Sequence, residues 1–153
     1  MANPFVAASE TQDTQATSTT LPKLIEYAYD FTHDVFLYDT NGKIKTVEEL
    51  EALKVWVYKA LKTERWRYEA YTHGLYNEKA PYGCELEQFI GQTNHQANAD
   101  LIKIYIQRGL EVNPYITKIN SIKLTNREHD EISFDVDLTS IYGRAVFSYT
   151  IGR

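Results

Sequence analysis

The polar and apolar positions of this 153-residue chain change rhythm several times. Residues 7–20 hold only Ala, Ser, Thr, Glu, Gln and Asp, so nothing there can be buried to offset the ordering entropy. The pattern predicts a mobile arm over residues 1–21, with Phe5 and Val6 as a small apolar hook, and a single domain over residues 22–153. Residues 25–38 are rich in Tyr, Phe, Val, Leu and Ile and predict two short strands, 26–31 and 34–38. Asn41-Gly42 is a type I′ turn signal, joining 35–38 to a short strand over 43–45.

Thr46-Val47-Glu48-Glu49 reads as a capping box, with the Thr hydroxyl serving the N3 amide and the Glu reaching back. Leu50, Leu53, Val57, Ala60 and Leu61 then recur at helical spacing, and the helix should end near Lys62-Thr63. A second helix over 98–110 carries Leu101, Ile104, Tyr105 and Arg108 on one face. Ile102, Ile106 and Leu110 widen its stripe, so it should lie against more than one surface. Asn113-Pro114 stops it. Between the helices, Trp66, Tyr68 and the surroundings of Tyr71 read as a strand. His73-Gly74 and Pro81-Tyr82-Gly83 read as turns, and 85–90 as a short helix closed by Gly91.

The remaining chain reads as strand. Over 115–124, Ile119 falls out of phase with Ile122 and Leu124, which a bulge near Asn120-Ser121 would reconcile. Ile132, Phe134, Val136 and Leu138 alternate with Ser133, Asp135, Asp137 and Thr139, the mark of a sheet with one wet face. Ile141-Tyr142-Gly143 turns the chain, and Ala145, Phe147, Tyr149 and Ile151 alternate with Val146, Ser148 and Thr150. No later segment follows to cover the free edge of that strand, and residues 145–151 carry no charge to blunt it. Either a partner strand or an earlier strand of this chain should occupy it. The expected class is α+β: a small mixed sheet with a C-terminal antiparallel meander packed against two main helices.

Composition narrows the function. With 16 Lys+Arg against 21 Asp+Glu the net charge is −5, which argues against nucleic acid, whose phosphates call for clustered cations. No apolar run reaches bilayer length, so no membrane is expected. There is no Lys or Arg before Lys23 and no apolar leader core, so no secretory signal is visible. A single cysteine, Cys84, leaves no intramolecular disulfide and no cysteine-based zinc site, and the adjacent Glu85 would raise its thiol pKa. Twelve tyrosines exceed what a small core needs and favour an interface role.

No catalytic constellation emerges. His33, His73, His95 and His129 show no helical i, i+4 pair, and neither a Gly-x-Ser-x-Gly elbow nor a Gly-rich phosphate loop occurs. Glycoside hydrolysis needs only two carboxyls across a cleft, and Glu64 with Glu78 is the pair on offer. Glu64 beside Arg65 reads as an ion pair and Glu78-Lys79 as a solvated one, so the chain is expected to be no enzyme and to carry no cofactor or metal.

The order of elements is more telling. A helix runs into Thr63-Glu64-Arg65, then come Ala80-Pro81-Tyr82-Gly83-Cys84-Glu85-Leu86, a short helix ending Phe89-Ile90-Gly91, a longer helix stopping at Asn113-Pro114, and a meander containing Ile141-Tyr142-Gly143. Over roughly residues 29–151 this resembles the sheath initiator (baseplate wedge) proteins of contractile phage tails and related injection machines. Its nearest branch is that of phages and tail-like bacteriocins of Gram-positive bacteria. That family has Gly-Glu-Arg after its first long helix, where this chain has Thr63-Glu64-Arg65. Its Pro-x-aromatic-Gly turn is matched, one residue shorter, by Pro81-Tyr82-Gly83. Its Glu-Pro-Arg wedge contact is matched by Asn113-Pro114-Tyr115, which keeps the proline, loses both charges and leaves Tyr115 for a stacking or packing contact.

The resemblance implies a scaffold protein in a sixfold ring at the baseplate of a virion tail or tail-like particle, assembled in the host cytoplasm. It implies a domain like the interlocking region of the sheath subunit, to which strands of the first sheath disc add. Ala145, Val146, Phe147, Ser148, Tyr149, Thr150 and Ile151 would receive the sheath strand, and Asn113, Pro114 and Tyr115 would contact wedge proteins. Glu64, Arg65, Pro81, Tyr82 and Gly83 would be structural. The implied partners are the tail sheath protein, the wedge proteins, and the tail tube or hub. The alternative is another small α+β tail or adaptor module.

Overall fold

A computed structural model describes residues 20–71, 81–91, 97–127 and 131–152. Phe5, Val6 and the arm up to residue 19, His73-Gly74, Glu78, Ala80, His95 and His129 lie outside the described residues. In chain order the strands and helices are β1 (Ile25–Tyr27), β2 (Tyr29–Asp30), β3 (Val35–Phe36), β4 (Thr46–Glu48), α1 (Glu49–Lys62), α2 (Ala97–Leu110), β5 (Ile116–Arg127), β6 (Glu131–Ser140) and β7 (Gly143–Gly152). Two short 3-10 turns, Glu69–Tyr71 and Glu87–Phe89, lie between the helices. This is the α+β class expected, with strands in three antiparallel sheets: β1–β4, β2–β3 and β5–β6–β7. Among the described residues the parallel pairing is the isolated bridge Glu64–Cys84.

α1 is the centre of the molecule. Ala52, Leu53, Val55, Trp56, Val57, Tyr58, Ala60 and Leu61 are all buried, because α2, β1 and β7 cover different sides of it. The inner face of the meander, Ile132, Phe134, Val136 and Leu138 of β6 with Phe147, Tyr149 and Ile151 of β7, completes the core. Its alternation follows the pleat, which sends successive side chains to opposite faces. Tyr149 is tied to the helix as well: its hydroxyl donates to the Lys54 carbonyl at 2.9 Å.

Several local expectations change. Thr46 is not an N-cap: it pairs with Tyr27 in the β1–β4 ladder, and α1 starts three residues later. Glu48 caps without a side-chain bond, and the Glu49 amide is satisfied instead by the Leu24 carbonyl at 2.9 Å. The Asn41-Gly42 turn is not type I′. Gly42 donates to the Asp39 carbonyl and alone takes a positive φ, +76°, while Asp39 donates to the Lys43 carbonyl. That is a type I turn closed by a left-handed glycine. The single strand expected over 26–31 changes partner at Ala28, whose N–H goes to Lys45 and whose carbonyl accepts from Leu37.

Trp66 and Tyr68 do not form a strand. Trp66 sits at φ +70°, and the chain bends into a 3-10 turn at Glu69–Tyr71. Strand-favouring residues without a ladder partner do not hold an extended conformation. On α2 the buried stripe is Ile102, Ile106 and Leu110, while Leu101 and Ile104 remain 42% and 44% exposed. The bulge near Asn120-Ser121 is present as a register shift between Ile119 and Ser121, with two more at Ile116/Lys118 and Leu124/Asn126.

Candidate partner-binding edge

β7 pairs with β6 over ten residues without a break in register, from Glu131–Gly152 to Ser140–Gly143. The hairpin loop is Ile141-Tyr142, so Ser140 and Gly143 close it as a hydrogen-bonded pair. Antiparallel pairs alternate, so Ala145, Phe147, Tyr149 and Ile151 spend their backbone groups on β6. Arg144, Val146, Ser148 and Thr150 direct theirs to the other side. No strand among the described residues pairs with that side, because β7 is last in the sheet order. Val146, Ser148 and Thr150 have exposed side chains, Val146 at 61%.

The wet face of the sheet is cross-linked. Ser148 Oγ donates to Asp135 at 2.6 Å, and Ser133 and Thr150 hydroxyls meet at 2.9 Å. Arg144 grips Asp137 through Nε at 3.0 Å and Nη2 at 2.6 Å, and Asn120 adds a bond at 2.9 Å. These bonds, that from Arg144 foremost, hold the Asp137 carboxyl down at about 2. They fix the position of β7, and hence of its free edge.

Two grooves run beside that edge. The first lies at Ser148, Tyr149 and Thr150, facing Phe31, Thr32 and Tyr58. Its far wall is the turn between β2 and β3, which is pinned by Asp34. The Asp34 carboxylate accepts from Tyr29 at 2.6 Å, from Tyr58 at 3.1 Å and from Lys62. The Lys62 bond is the chief reason its pKa is lowered, while burial and Asp34 push the Tyr29 phenol up to about 12. Phe31 is thereby set edge-on to Tyr58, with ring centres 4.7 Å apart, and to Tyr149 at 6.2 Å.

The second groove lies at Ile151 and Gly152, facing Lys62, Glu64, Arg67, Tyr68 and Glu87. Glu64 therefore does stand at a concave wall. The ion pair expected with Arg65 does not form, because the Arg65 guanidinium is taken by backbone carbonyls; Glu64 Oε2 accepts the Glu87 amide at 3.3 Å instead, and burial is the main cause of its raised pKa. Glu87 is itself engaged by Arg67 at 2.9 Å. Among the described residues no group of three metal-ligating side chains occurs.

The motif residues outside the edge are mostly interior. Arg65 donates twice to the Gly83 carbonyl, at 2.9 and 3.1 Å, and once to that of Arg108 at 3.3 Å. Cys84 N–H bonds the Thr63 carbonyl at 2.9 Å, Tyr82 packs edge-on to Trp56 at 5.5 Å, and Pro81 is half-buried beside it. Cys84 is buried, which pushes its thiol up to about 12. Asn113 and Tyr115 are 1% and 4% exposed. Asn113 Oδ1 accepts the Tyr115 amide, and the Tyr115 ring stacks on Tyr142 at 6.0 Å. The Tyr115 hydroxyl donates to the Pro22 carbonyl at 2.8 Å, and the Tyr142 hydroxyl accepts the Leu24 amide at 2.9 Å. Of the three residues, Pro114 alone is on the surface.

Phe31, Asp34 and Tyr58 were not legible as neighbours of this edge. The excess of tyrosine pointed to an interface without saying where.

A family model described as contractile injection system sheath initiator matches residues 25–143, which takes in both helices and the meander up to the start of β7. No curated protein matches the chain. No helix among the described residues is long and apolar enough to cross a membrane. The order of elements and the matched span together place the chain in the sheath initiator family of contractile injection systems, which has a structural part in sheath assembly at the tail baseplate among sheath and baseplate components.

Proposed function

We propose that this protein starts the sheath by lending the free edge of β7 to a strand from the first sheath disc. The observation that carries the reading is the outward backbone at Val146, Ser148 and Thr150, with uncharged side chains and no paired strand among the described residues, held in register by ten unbroken pairs to β6. An added strand would gain backbone hydrogen bonds there and template the next subunit. On the baseplate side, the corner Asn113-Pro114-Tyr115 presents Pro114 to wedge proteins, while its two buried residues hold the corner in shape. The joint of Glu64 and Arg65 with Pro81-Tyr82-Gly83 keeps the helices in place behind the edge. Residues 22–153 act as one domain and 1–21 as an arm outside it. Six copies around the tail tube, in contact with tube or hub, and assembly in the host cytoplasm belong to the proposal as what the family resemblance implies. The chain acts without catalysis.

Proline at Val146 or at Ser148 tests this. Each removes an N–H that faces away from β6, so the fold loses no ladder bond. Both variants should fold, join the baseplate and leave tails without sheath under negative stain. Phe147→Pro, which cuts a bond to β6, should destabilise the fold itself. Full-length sheath on particles of both edge variants would sink strand addition at β7.

A further inference from the structure

The groove between the β2–β3 turn and β7 has a chemistry of its own. Its lining is Phe31, Thr32, Tyr58, Ser148, Tyr149 and Thr150, and none of these is charged. Two lysines touch its rings without being part of the lining: Lys54 Nζ sits 5.4 Å from the Phe31 ring centre, and Lys62 sits over Tyr58. Three aromatic rings, Phe31, Tyr58 and Tyr149, stand within 4.7–6.2 Å of one another. Ser148 and Thr150 turn their hydroxyls to Asp135 and Ser133 on the opposite face of the sheet, so they do not fill the groove. The groove is continuous with the unpaired edge: the stretch of β7 that lines it supplies the outward backbone groups of Ser148 and Thr150.

We propose that this groove is a side-chain pocket that selects the incoming strand, taking one large uncharged side chain, aliphatic or aromatic, from its inward face. The proposal rests on the reading that β7 accepts a strand. A strand paired to β7 places alternate side chains on the inner face, in line with Tyr149, and the groove lies at that row. A charged side chain there would give up hydration and meet no charged group in the lining itself, so the neutral lining disfavours it. Phe31 and Tyr58 are then the specificity-determining residues, and Asp34 is the positioning residue that holds the turn across from the edge.

Thr32, the exposed lining residue on the turn, permits a test that leaves Phe31, Tyr58 and Tyr149 in place. Thr32→Trp fills the groove, whereas Thr40→Trp adds the same side chain at an exposed position outside it. Both should melt with the wild type and join the baseplate. The fraction of tails bearing sheath should fall about tenfold for Thr32→Trp, as expected from excluding one buried apolar side chain, and stay unchanged for Thr40→Trp. Val146→Pro, outside the groove, separates the two ideas. Loss of sheath with Val146→Pro but wild-type sheath with Thr32→Trp overturns the pocket and leaves the edge standing. Wild-type sheath with Val146→Pro, Ser148→Pro and Thr32→Trp overturns both. A sheath-negative Thr32→Trp with an unchanged melt supports the pocket, and one that has lost its melt is replaced by Thr32→Tyr, whose wild-type sheath count would equally overturn it.

Discussion

Gly83→Ala should be among the most damaging single-methyl changes in this protein, and its cost can be worked from the contacts. Gly83 sits at φ +106°, where side chains are rarely accommodated. A Cβ there would lie 2.7 Å from the Thr63 carbonyl oxygen, 3.2 Å from the Arg65 nitrogen and 3.3 Å from the Arg65 Cα. All three are backbone atoms, so no rotamer change relieves the clash. The backbone conformation alone costs a non-glycine residue about 1–3 kcal/mol. If the chain opens to make room, the Cys84–Thr63 and Arg65–Gly83 bonds weaken, each worth about 1 kcal/mol net. A total near 3 kcal/mol follows, and at about 2–4 °C per kcal/mol for a domain of this size the melting temperature should drop about 9 °C. Gly42→Ala is the control: φ is +76° with nothing within 4 Å of the added methyl. Only the conformational cost applies, about 1 kcal/mol or about 3 °C. Thermal melts followed by circular dichroism decide the matter. Equal losses for the two variants would show that the close approach of Gly83 to Thr63 and Arg65 contributes nothing.

Asp137 has its pKa lowered from the ordinary 3.8 to about 2 by Arg144, so the unfolded chain binds more protons there than the folded one. The stability it adds is present above the ordinary carboxylate range and is lost as pH falls towards 2; wild type should therefore lose more stability than Asp137→Asn between pH 5 and about 2 in urea titrations, and parallel curves would refute the Arg144 contact. Tyr142→Phe removes the acceptor of the Leu24 amide and Tyr115→Phe the donor to Pro22, each costing about 1 kcal/mol. Both should speed proteolysis near residues 20–24 more than elsewhere, and digestion patterns unchanged from wild type would show that these tyrosines do not anchor that segment. Buried and with its thiol pushed up to about 12, Cys84 should resist iodoacetamide in the native protein at pH 8 and react readily in urea; mass spectrometry showing fast native alkylation would contradict its burial.

What the sequence revealed, and what it hid, divides along the range of the interactions. β6 and β7 were legible residue by residue because one face is wet and the other dry, and a period of two reports that directly. The bulge in β5 was legible for the same reason, since Ile119 breaks phase with Ile122. The start of α1 was not. Thr46 carries a good local capping signal, but its backbone is claimed by Tyr27, nineteen positions earlier, and no local pattern shows that competition. α2 misled because it has apolar residues on two sides, and periodicity alone does not say which side meets the core. Trp66 and Tyr68 carry strand propensity without a ladder to join. The groove joins Phe31, Tyr58 and Tyr149, three residues brought together by the packing of the turn and α1 beside β7, so no spacing rule could have found it.

The other edge of the same sheet speaks for a partner at β7. β5 faces the same hazard, a row of free backbone groups that invites pairing. It is broken by three register shifts, and it exposes Lys118 and Lys123. Bulges and lysines are the usual means by which a sheet edge is made a poor template. β7 has neither: its ladder to β6 is unbroken, and its one charged residue, Arg144, is held by Asp137 near the hairpin, which leaves residues 145–151 without charge. A chain that blunts one edge of a three-stranded sheet and leaves the other unbroken and uncharged over residues 145–151, with an aromatic groove alongside, is built unevenly. Sheet stability does not require the difference, because a charge on the exposed Val146 would disturb neither a core contact nor the hydrogen bonds that cross-link the wet face. The asymmetry is accounted for if β5 is shielded against stray pairing while β7 is kept open for a strand in the assembled tail.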